Sequence, residues 1–335
     1  MSALVICTGG GIGDVLLATP VVRALRERFG PVTALTSPAH GAVLARDPEL
    51  TDLWTDDVPF AEQCARIAAA RFDAAVVTWA SLRAAALPYV ARVPLRAGQA
   101  RRIYSRLFTH AVRVRSEAGD HSSHWTQILL DFARALGCDT PDATPAFAVP
   151  GEARESVDAL LRANGVAGPY LVLHPTRGIA AERARWPTAR FAELARALAA
   201  EYAMPVVVTG AAGDTATAER IAAEGGALSL AGRTTLAEFG ALAQAARAVV
   251  AMDSGPMHVA AAVGAPTVGI FALQSDEPDR WAPLGPRTAV VRATYPCPPG
   301  HRKETCPNFA CIAALEVPRI LAALSGLLAR GGELG

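Results

Sequence analysis

The sequence predicts two doubly wound α/β domains facing a cleft, each built on a parallel sheet. Three observations predict it. Short apolar runs suited to strands buried on both faces alternate with amphipathic helical stretches through both halves of the chain. The 335 residues exceed one ordinary core, so two domains of roughly 150 residues are the natural division. A Pro-rich break, Thr140-Pro141-Asp142-Ala143-Thr144-Pro145 followed by Pro150-Gly151, falls where that boundary is needed.

In the first half, the strand Ala3 to Thr8 leads into an amphipathic stretch from about Val15 to Phe29, then the strand Val32 to Thr36. Ala74 to Trp79 is another buried strand. A helix near Ser122 to Leu136 places Trp125, Ile128, Leu129, Phe132 and Leu136 on one face, and Gly137 closes it. After the break, a helix over about Glu152 to Asn164 opens a second series. Its strands are Tyr170 to His174, Pro205 to Thr209, Ala248 to Met252 and Thr267 to Phe271, and its helices are Phe191 to Tyr202, Thr215 to Glu224 and Leu236 to Ala246. A final helix covers about Val317 to Ala329.

Hydrophobic residues make up 51% of the chain, ample for two cores, while aromatics at 6% leave the packing mainly to Ala, Leu and Val. A formal net charge of +1 argues against a general nucleic-acid binder. The charge is uneven, however. Ala74 to Ser116 holds no acidic residue and eight arginines: Arg83, Arg92, Arg96, Arg101, Arg102, Arg106, Arg113 and Arg115. The ordinary reading is a solvated basic face, and the sharper one a surface toward an anionic substrate or membrane leaflet. No run approaches ~18 apolar residues, Leu4 to Cys7 follows the first residues with no basic leader, and Cys7, Cys64 and Cys138 stand singly. A cytoplasmic location is therefore expected.

Met252 to Phe271 reads as strand, turn, helix, turn, strand. Ser254 and Gly255 sit at the first turn, Pro256 suits the first helical position, and Gly264 stops the helix. The end of a buried strand thus faces a helix N-terminus whose backbone N–H groups attract phosphate, with Asp253 and His258 beside any bound anion. A second edge is Leu171 to Gly178, where the strand ends in Thr176 and Arg177, with Arg183, Arg185 and Trp186-Pro187 following. Singly these arginines read as surface residues. Together they suggest a pyrophosphate clamp. Asp214 or Glu219, after the strand that ends at Thr209, is a weaker candidate for a sugar hydroxyl.

At the first edge, Gly9-Gly10-Gly11-Ile12-Gly13-Asp14 lacks the spacing of a dinucleotide fingerprint, and no G-K-[ST] follows. Asp14 reads either as a helix N-cap or, if Thr19 before Pro20 is the cap, as a free carboxylate able to act as a general base.

The combination of Gly11-Ile12-Gly13-Asp14, Trp186-Pro187, and Asp253 to His258 with Gly264-Ala265-Pro266 resembles glycosyltransferase family 9, the lipopolysaccharide heptosyltransferase family, over nearly the whole chain. The resemblance implies a GT-B architecture. Residues 1–150 would be the acceptor-binding Rossmann-like domain, 151–315 the nucleotide-sugar-binding one, and 316–335 a C-terminal helix packing back on the first. It implies an inverting transfer of heptose from ADP-heptose to a lipopolysaccharide inner-core acceptor, an anionic glycolipid, with no cofactor and no catalytic metal. Asp14 would be the general base, and Gly13, Arg101, Arg102 and Arg106 would bind the acceptor. Thr176, Arg177, Arg183, Arg185 and the Ser254-Gly255 backbone would hold the donor diphosphate, Asp253 the donor sugar, and His258 the phosphate end. Peripheral contact with the inner face of the membrane is a further expectation.

One departure stands out. The family usually has a lysine two residues before the Trp-Pro pair, where this chain has Ala184, and Lys303 is its only lysine. Arg183 or Arg185 would have to substitute with a different reach. Another acceptor (a protein or a small metabolite), another nucleotide-sugar, or a non-catalytic sugar-nucleotide-binding protein are the alternatives. Cys297, His301, Cys306 and Cys311 could together hold a structural zinc, but they lack the C-x2-C knuckle, and a reduced cysteine loop is expected instead.

Overall fold

Each half of the chain builds one six-stranded sheet, and every strand pairing in both is parallel. The computed structural model describes residues 1–176, 186–273, 277–297, 306 and 308–331. It divides into the units Met1–Ala148 and Val149–Gly335. The first sheet comprises β1 (Ala3–Cys7), β2 (Val32–Thr36), β3 (Asp52–Thr55), β4 (Ala74–Val77), β5 (Leu95–Gln99) and β6 (His110–Val112), in the order β3-β2-β1-β4-β5-β6. The second comprises β7 (Leu171–His174), β8 (Val206–Val208), β9 (Leu228–Ser229), β10 (Ala248–Met252), β11 (Thr267–Phe271) and β12 (Thr288–Arg292), in the order β12-β11-β10-β7-β8-β9.

The two orders are the same. Counted within its own unit, each sheet runs third, second, first, fourth, fifth, sixth. The winding direction therefore reverses between β1 and β4, and again between β7 and β10. In open parallel sheets the crevice beyond the strand ends at such a reversal is where ligands bind.

The central strands form where burial is complete. β1, β4, β7, β10 and β11 are buried at every residue, and their Val, Ile, Leu and Ala side chains suit a sheet covered on both faces. Gly269 in β11 has a packing reason. A Cβ there would lie 2.7 Å from Met257 Sδ, so glycine lets the helix Gly255–Ala262 settle on the sheet.

The stretch expected as one helix from Val15 to Phe29 is two, Ile12–Leu16 and Thr19–Phe29. Thr19 is not a cap. Its hydroxyl donates to Leu16 O at 2.9 Å, which satisfies a carbonyl at the end of the first helix, and Pro20 cannot continue that ladder. The same hydroxyl oxygen accepts the Ala146 N–H at 2.9 Å, tying the segment before the unit boundary to the first core.

In the final helix, Val317–Gly331, Val317, Ile320, Leu324 and Leu327 join the core of the second unit with Leu194, Leu198 and Val291. Spacing of i, i+3, i+7 and i+10 makes one apolar stripe, and the helix Thr188–Tyr202 with β11 and β12 supplies the matching surface. Tyr202 Oη and Ser325 Oγ, 2.9 Å apart, fix the register.

Candidate active site

At the first reversal, the chain leaves β1 through Gly9, Gly10 and Gly11 and enters the helix Ile12–Leu16. Gly10 has φ +78°, and a Cβ there would lie 2.6 Å from Asp14 Oδ2, so glycine is required both by backbone and by space. Asp14 lies in the first turn of the helix. Its Oδ2 accepts the N–H of Gly11, the N-cap residue, at 2.8 Å. It thus caps from inside the helix rather than as the N-cap itself. Burial raises the Asp14 pKa, an effect opposed by the backbone N–H groups of Gly11 and Asp14 and by the charge of His40. Gly13 is half-buried one residue before it.

Two neighbours of this edge were not singled out from the sequence. Trp79, just beyond β4, lies across Gly9: a Cβ on Gly9 would come within 1.9 Å of its Cδ1. Trp79 is still 41% exposed, so its ring faces solvent rather than the core. His40 follows β2, its Nδ1 2.9 Å from Ser37 Oγ. A tryptophan ending an apolar strand was the available signal for the first; nothing local marked the second.

The acid-free stretch separates into two groups. Arg83 grips Asp56 with two bonds of 2.8 and 2.6 Å, Arg115 grips Asp131 at 2.6 and 2.8 Å, Arg96 donates to the carbonyls of Val93, Pro94 and Leu107, and Arg113 donates to Glu117 O. These are structural. Arg92, Arg101, Arg102 and Arg106 are exposed, and only Arg101 has an ion pair among the described residues, with Glu117 at 3.6 Å. Beside them, Ile103 is 83% exposed. The helix Leu82–Val90, which packs on the 3₁₀ turn Ile103–Leu107, exposes Leu82, Tyr89 and Val90 at i, i+7 and i+8, one face of a helix. The result is an exposed apolar surface in the same stretch as Arg92, Arg102 and Arg106, which have no ion pair among the described residues.

At the second reversal, β7 pairs with β10 so that His174 sits opposite Ala251, and Thr176 and Asp253 each follow two residues later at the same sheet edge. The Asp253 N–H donates to Ile270 O at 3.0 Å, fixing the backbone there. Ser254 is the N-cap of the helix Gly255–Ala262, with its hydroxyl turned back to Met252 O at 2.9 Å. The helix N-terminus thus has no side-chain cap, and the first-turn backbone N–H groups of a helix, which lack intrahelical acceptors, are in general suited to anions. Pro256 lies in that turn, His258 is buried one turn in, and Gly264 closes the segment at φ +83°.

Thr176 belongs to a network that the sequence did not reveal. Its Oγ1 is 3.1 Å from His174 Nε2, and His174 Nδ1 is 3.0 Å from Thr209 Oγ1. His174 is buried, with the Phe239 ring edge-on at 5.6 Å. Burial pushes its pKa down to about 4, against the pull of Asp214, so the ring is neutral near pH 7. Asp214 itself accepts the Ala211 N–H at 3.0 Å, and Glu219 is exposed on the following helix.

Arg177, Arg183 and Arg185, with Ala184, lie outside the described residues, as does His301. Trp186 closes that interval as a packing anchor. Its indole N–H donates to Leu315 O at 3.1 Å, and its ring meets Phe191 edge-on at 4.7 Å. Cys306 and Cys311 are buried free thiols, with Cys297 half-buried beside them. The described residues contain no group of three or more His, Cys, Asp or Glu able to hold a metal ion. No helix among them is long and apolar enough to cross a membrane.

The family model of glycosyltransferase family 9 (heptosyltransferase) matches residues 63–309, well over half of the chain. Lipopolysaccharide heptosyltransferase 2 of Escherichia coli K12 is 38% identical over 114 residues, 32% of each chain, and that of Salmonella typhimurium LT2 is 32% identical over 155 residues, 44% of each. These matches span under half the length of those relatives. Lipopolysaccharide heptosyltransferase 3 of Escherichia coli is 26% identical over 280 residues, 77% of this chain and 80% of that one. Among solved structures, the family 9 glycosyltransferase of Veillonella parvula DSM 2008 superposes with a TM-score of 0.86 at 19% identity, covering 98% of this chain and 97% of that one. E. coli ADP-heptose LPS heptosyltransferase II superposes with a TM-score of 0.80 at 24% identity, covering 99% and 100%. The fold is GT-B.

Proposed function

The chain belongs to glycosyltransferase family 9, the heptosyltransferases, and on that premise we propose that it moves a heptose from ADP-heptose onto the inner core of lipopolysaccharide. The acceptor would be held by the first unit and the donor by the second. Transfer would invert the anomeric configuration and use no metal ion. Its place of work would be the cytoplasm, at the inner face of the membrane.

The observation that supports this reading is the coincidence of chemistry with topology. Both sheets reverse direction once, and the candidate residues stand at those two reversals: Asp14 beyond β1, and Thr176 with Asp253-Ser254-Gly255 beyond β7 and β10. In the proposed reaction Asp14 takes the proton from an acceptor hydroxyl as its oxygen attacks the anomeric carbon. The bond to the diphosphate breaks on the opposite face, and ADP leaves. A carboxylate with a raised pKa suits that task, since it lies closer to the hydroxyl it must deprotonate. Charge building on the diphosphate is met by the N-terminus of the helix Gly255–Ala262 and by the Thr176 hydroxyl, with Arg177 beside it and Arg183 or Arg185 replacing the lysine absent at Ala184. Asp253 would bind donor sugar hydroxyls, His258 would support the phosphate end, and Gly13 would border the acceptor. Arg101, Arg102 and Arg106 would attract the acceptor's phosphates and carboxylates, while Ile103, Leu82, Tyr89 and Val90 offer an apolar surface to the leaflet that carries it.

Calorimetry with ADP, UDP, GDP and ADP-heptose, with and without a chelator, tests this. Chelator-insensitive binding of ADP and ADP-heptose alone is expected. Preference for UDP or GDP would overturn the donor. The absent lysine favours one other reading, a sugar-nucleotide-binding protein without turnover. Inactivity of the unmodified protein across several donors and acceptors, with binding intact, would establish that reading instead.

A further inference from the structure

Resting on the donor-site reading of Thr176, we infer that His174 is a positioning residue: held as its Nε2–H tautomer by the Thr209 hydroxyl, it donates to Thr176 Oγ1 and so turns the Thr176 hydroxyl proton outward to the donor diphosphate. The assignment follows from counting protons along the chain of contacts. Thr209 Oγ1 has one proton and two acceptors in reach, His174 Nδ1 at 3.0 Å and Leu173 O at 3.5 Å. The carbonyl already accepts the Thr209 N–H at 2.9 Å, and 3.5 Å is at the limit of a hydrogen bond. The proton therefore goes to Nδ1.

A neutral imidazole that accepts at Nδ1 carries its proton on Nε2. Nε2 is 3.1 Å from Thr176 Oγ1, so the ring donates and the threonine oxygen accepts. Thr176 keeps its own proton for a group outside the network. The opposite tautomer would consume that proton on Nε2 and aim only lone pairs at the ligand, which repels an anion. The same three side chains can thus make Thr176 attractive or repellent to phosphate, and Thr209, at the end of the neighbouring strand, selects the first. Burial of His174 and the Phe239 ring against it hold the imidazole in the plane this requires.

Long-range 1H–15N spectra of 15N-histidine-labelled protein without ligand read the tautomer directly, and Nε2–H is expected for His174 at neutral pH. Calorimetry with ADP and with inorganic pyrophosphate then reads its consequence. Thr209→Val should weaken both by about tenfold, the size of one hydrogen bond to a charged group, while Thr209→Ser retains wild-type affinity. In a Thr176→Val background, Thr209→Val should cost nothing further, a non-additivity that a merely structural role of Thr209 does not produce. An Nδ1–H signal, or additive losses, with ADP binding intact in the wild type, would overturn the relay alone. An Nε2–H signal in a protein that binds neither ADP nor pyrophosphate would overturn the donor-site reading, and the relay's purpose with it.

Discussion

Asp14→Asn separates chemistry from folding at one atom pair. The asparagine Oδ1 can accept the Gly11 N–H that Asp14 Oδ2 accepts at 2.8 Å, so the turn keeps its hydrogen bond. What disappears is a proton acceptor. Removal of a positioned general base typically costs ~10²–10⁴ in rate, or about 2.7–5.4 kcal/mol of transition-state stabilisation. Binding of ADP, assigned to the second unit, should be unchanged.

Stability should move in the other direction. Burial is the largest influence on Asp14 and raises its pKa above the unfolded value. For a carboxyl raised in this way, the favourable contribution to folding is fully present below the unfolded pKa and lost as pH rises through the folded one. Near pH 7 the ionised group therefore burdens the fold, and the asparagine does not. The variant should melt at or above the wild type at neutral pH, with the difference vanishing below the ordinary carboxylate range. The wild type's kcat/KM should also fall on acidification at a pH above that range, as the base becomes protonated. Initial rates of ADP release, ADP calorimetry and thermal melts at the two pH values test this. Turnover close to wild type would refute the base assignment, and a lower melting temperature at neutral pH would refute the electrostatic reasoning.

Two further outcomes follow from the same geometry. Replacing Arg101, Arg102 and Arg106 together with alanine should weaken sedimentation with vesicles rich in anionic lipid by about a hundredfold at ~1 kcal/mol per arginine, leaving ADP affinity unchanged; unaltered vesicle binding would remove the membrane role of this face. Trp186→Phe keeps the edge-on contact with Phe191 but leaves Leu315 O without its donor, so a loss of about 1–3 kcal/mol in denaturant unfolding is expected, and no loss would show that water replaces the indole.

The parts of the fold that were legible were those with complete burial. Ala248 to Met252 and Thr267 to Phe271 were read to the residue, because strands covered on both faces must be apolar throughout. β3, β5, β6, β9 and β12 were not anticipated. They include Asp52, Arg96, Gln99, His110, Ser229 and Arg292, and partial exposure at or near a sheet edge erases the apolar run. Strand order was not legible either. Alternation of helix and strand requires parallel pairing but does not say which strands are neighbours, and the two reversals depend on that order. Asp14, Thr176 and Asp253 were singled out because each lies where the chain turns after an apolar strand. His174 was hidden as the last residue of one. The eight arginines looked alike in sequence because Asp56 and Asp131, which tie down Arg83 and Arg115, are 27 and 16 residues away along the chain.

The contact between Gly9 and Trp79 gives the protein an optical reporter at the edge proposed for the acceptor. Of the five tryptophans, Trp79 is the one among the exposed large apolar side chains, while Trp186 is buried. Its ring rests on the glycine turn that presents Asp14. A sugar seated over that turn would displace water from the indole, shifting its emission to the blue and shielding it from a soluble quencher, so that acceptor binding can be titrated by light without a label and without turnover.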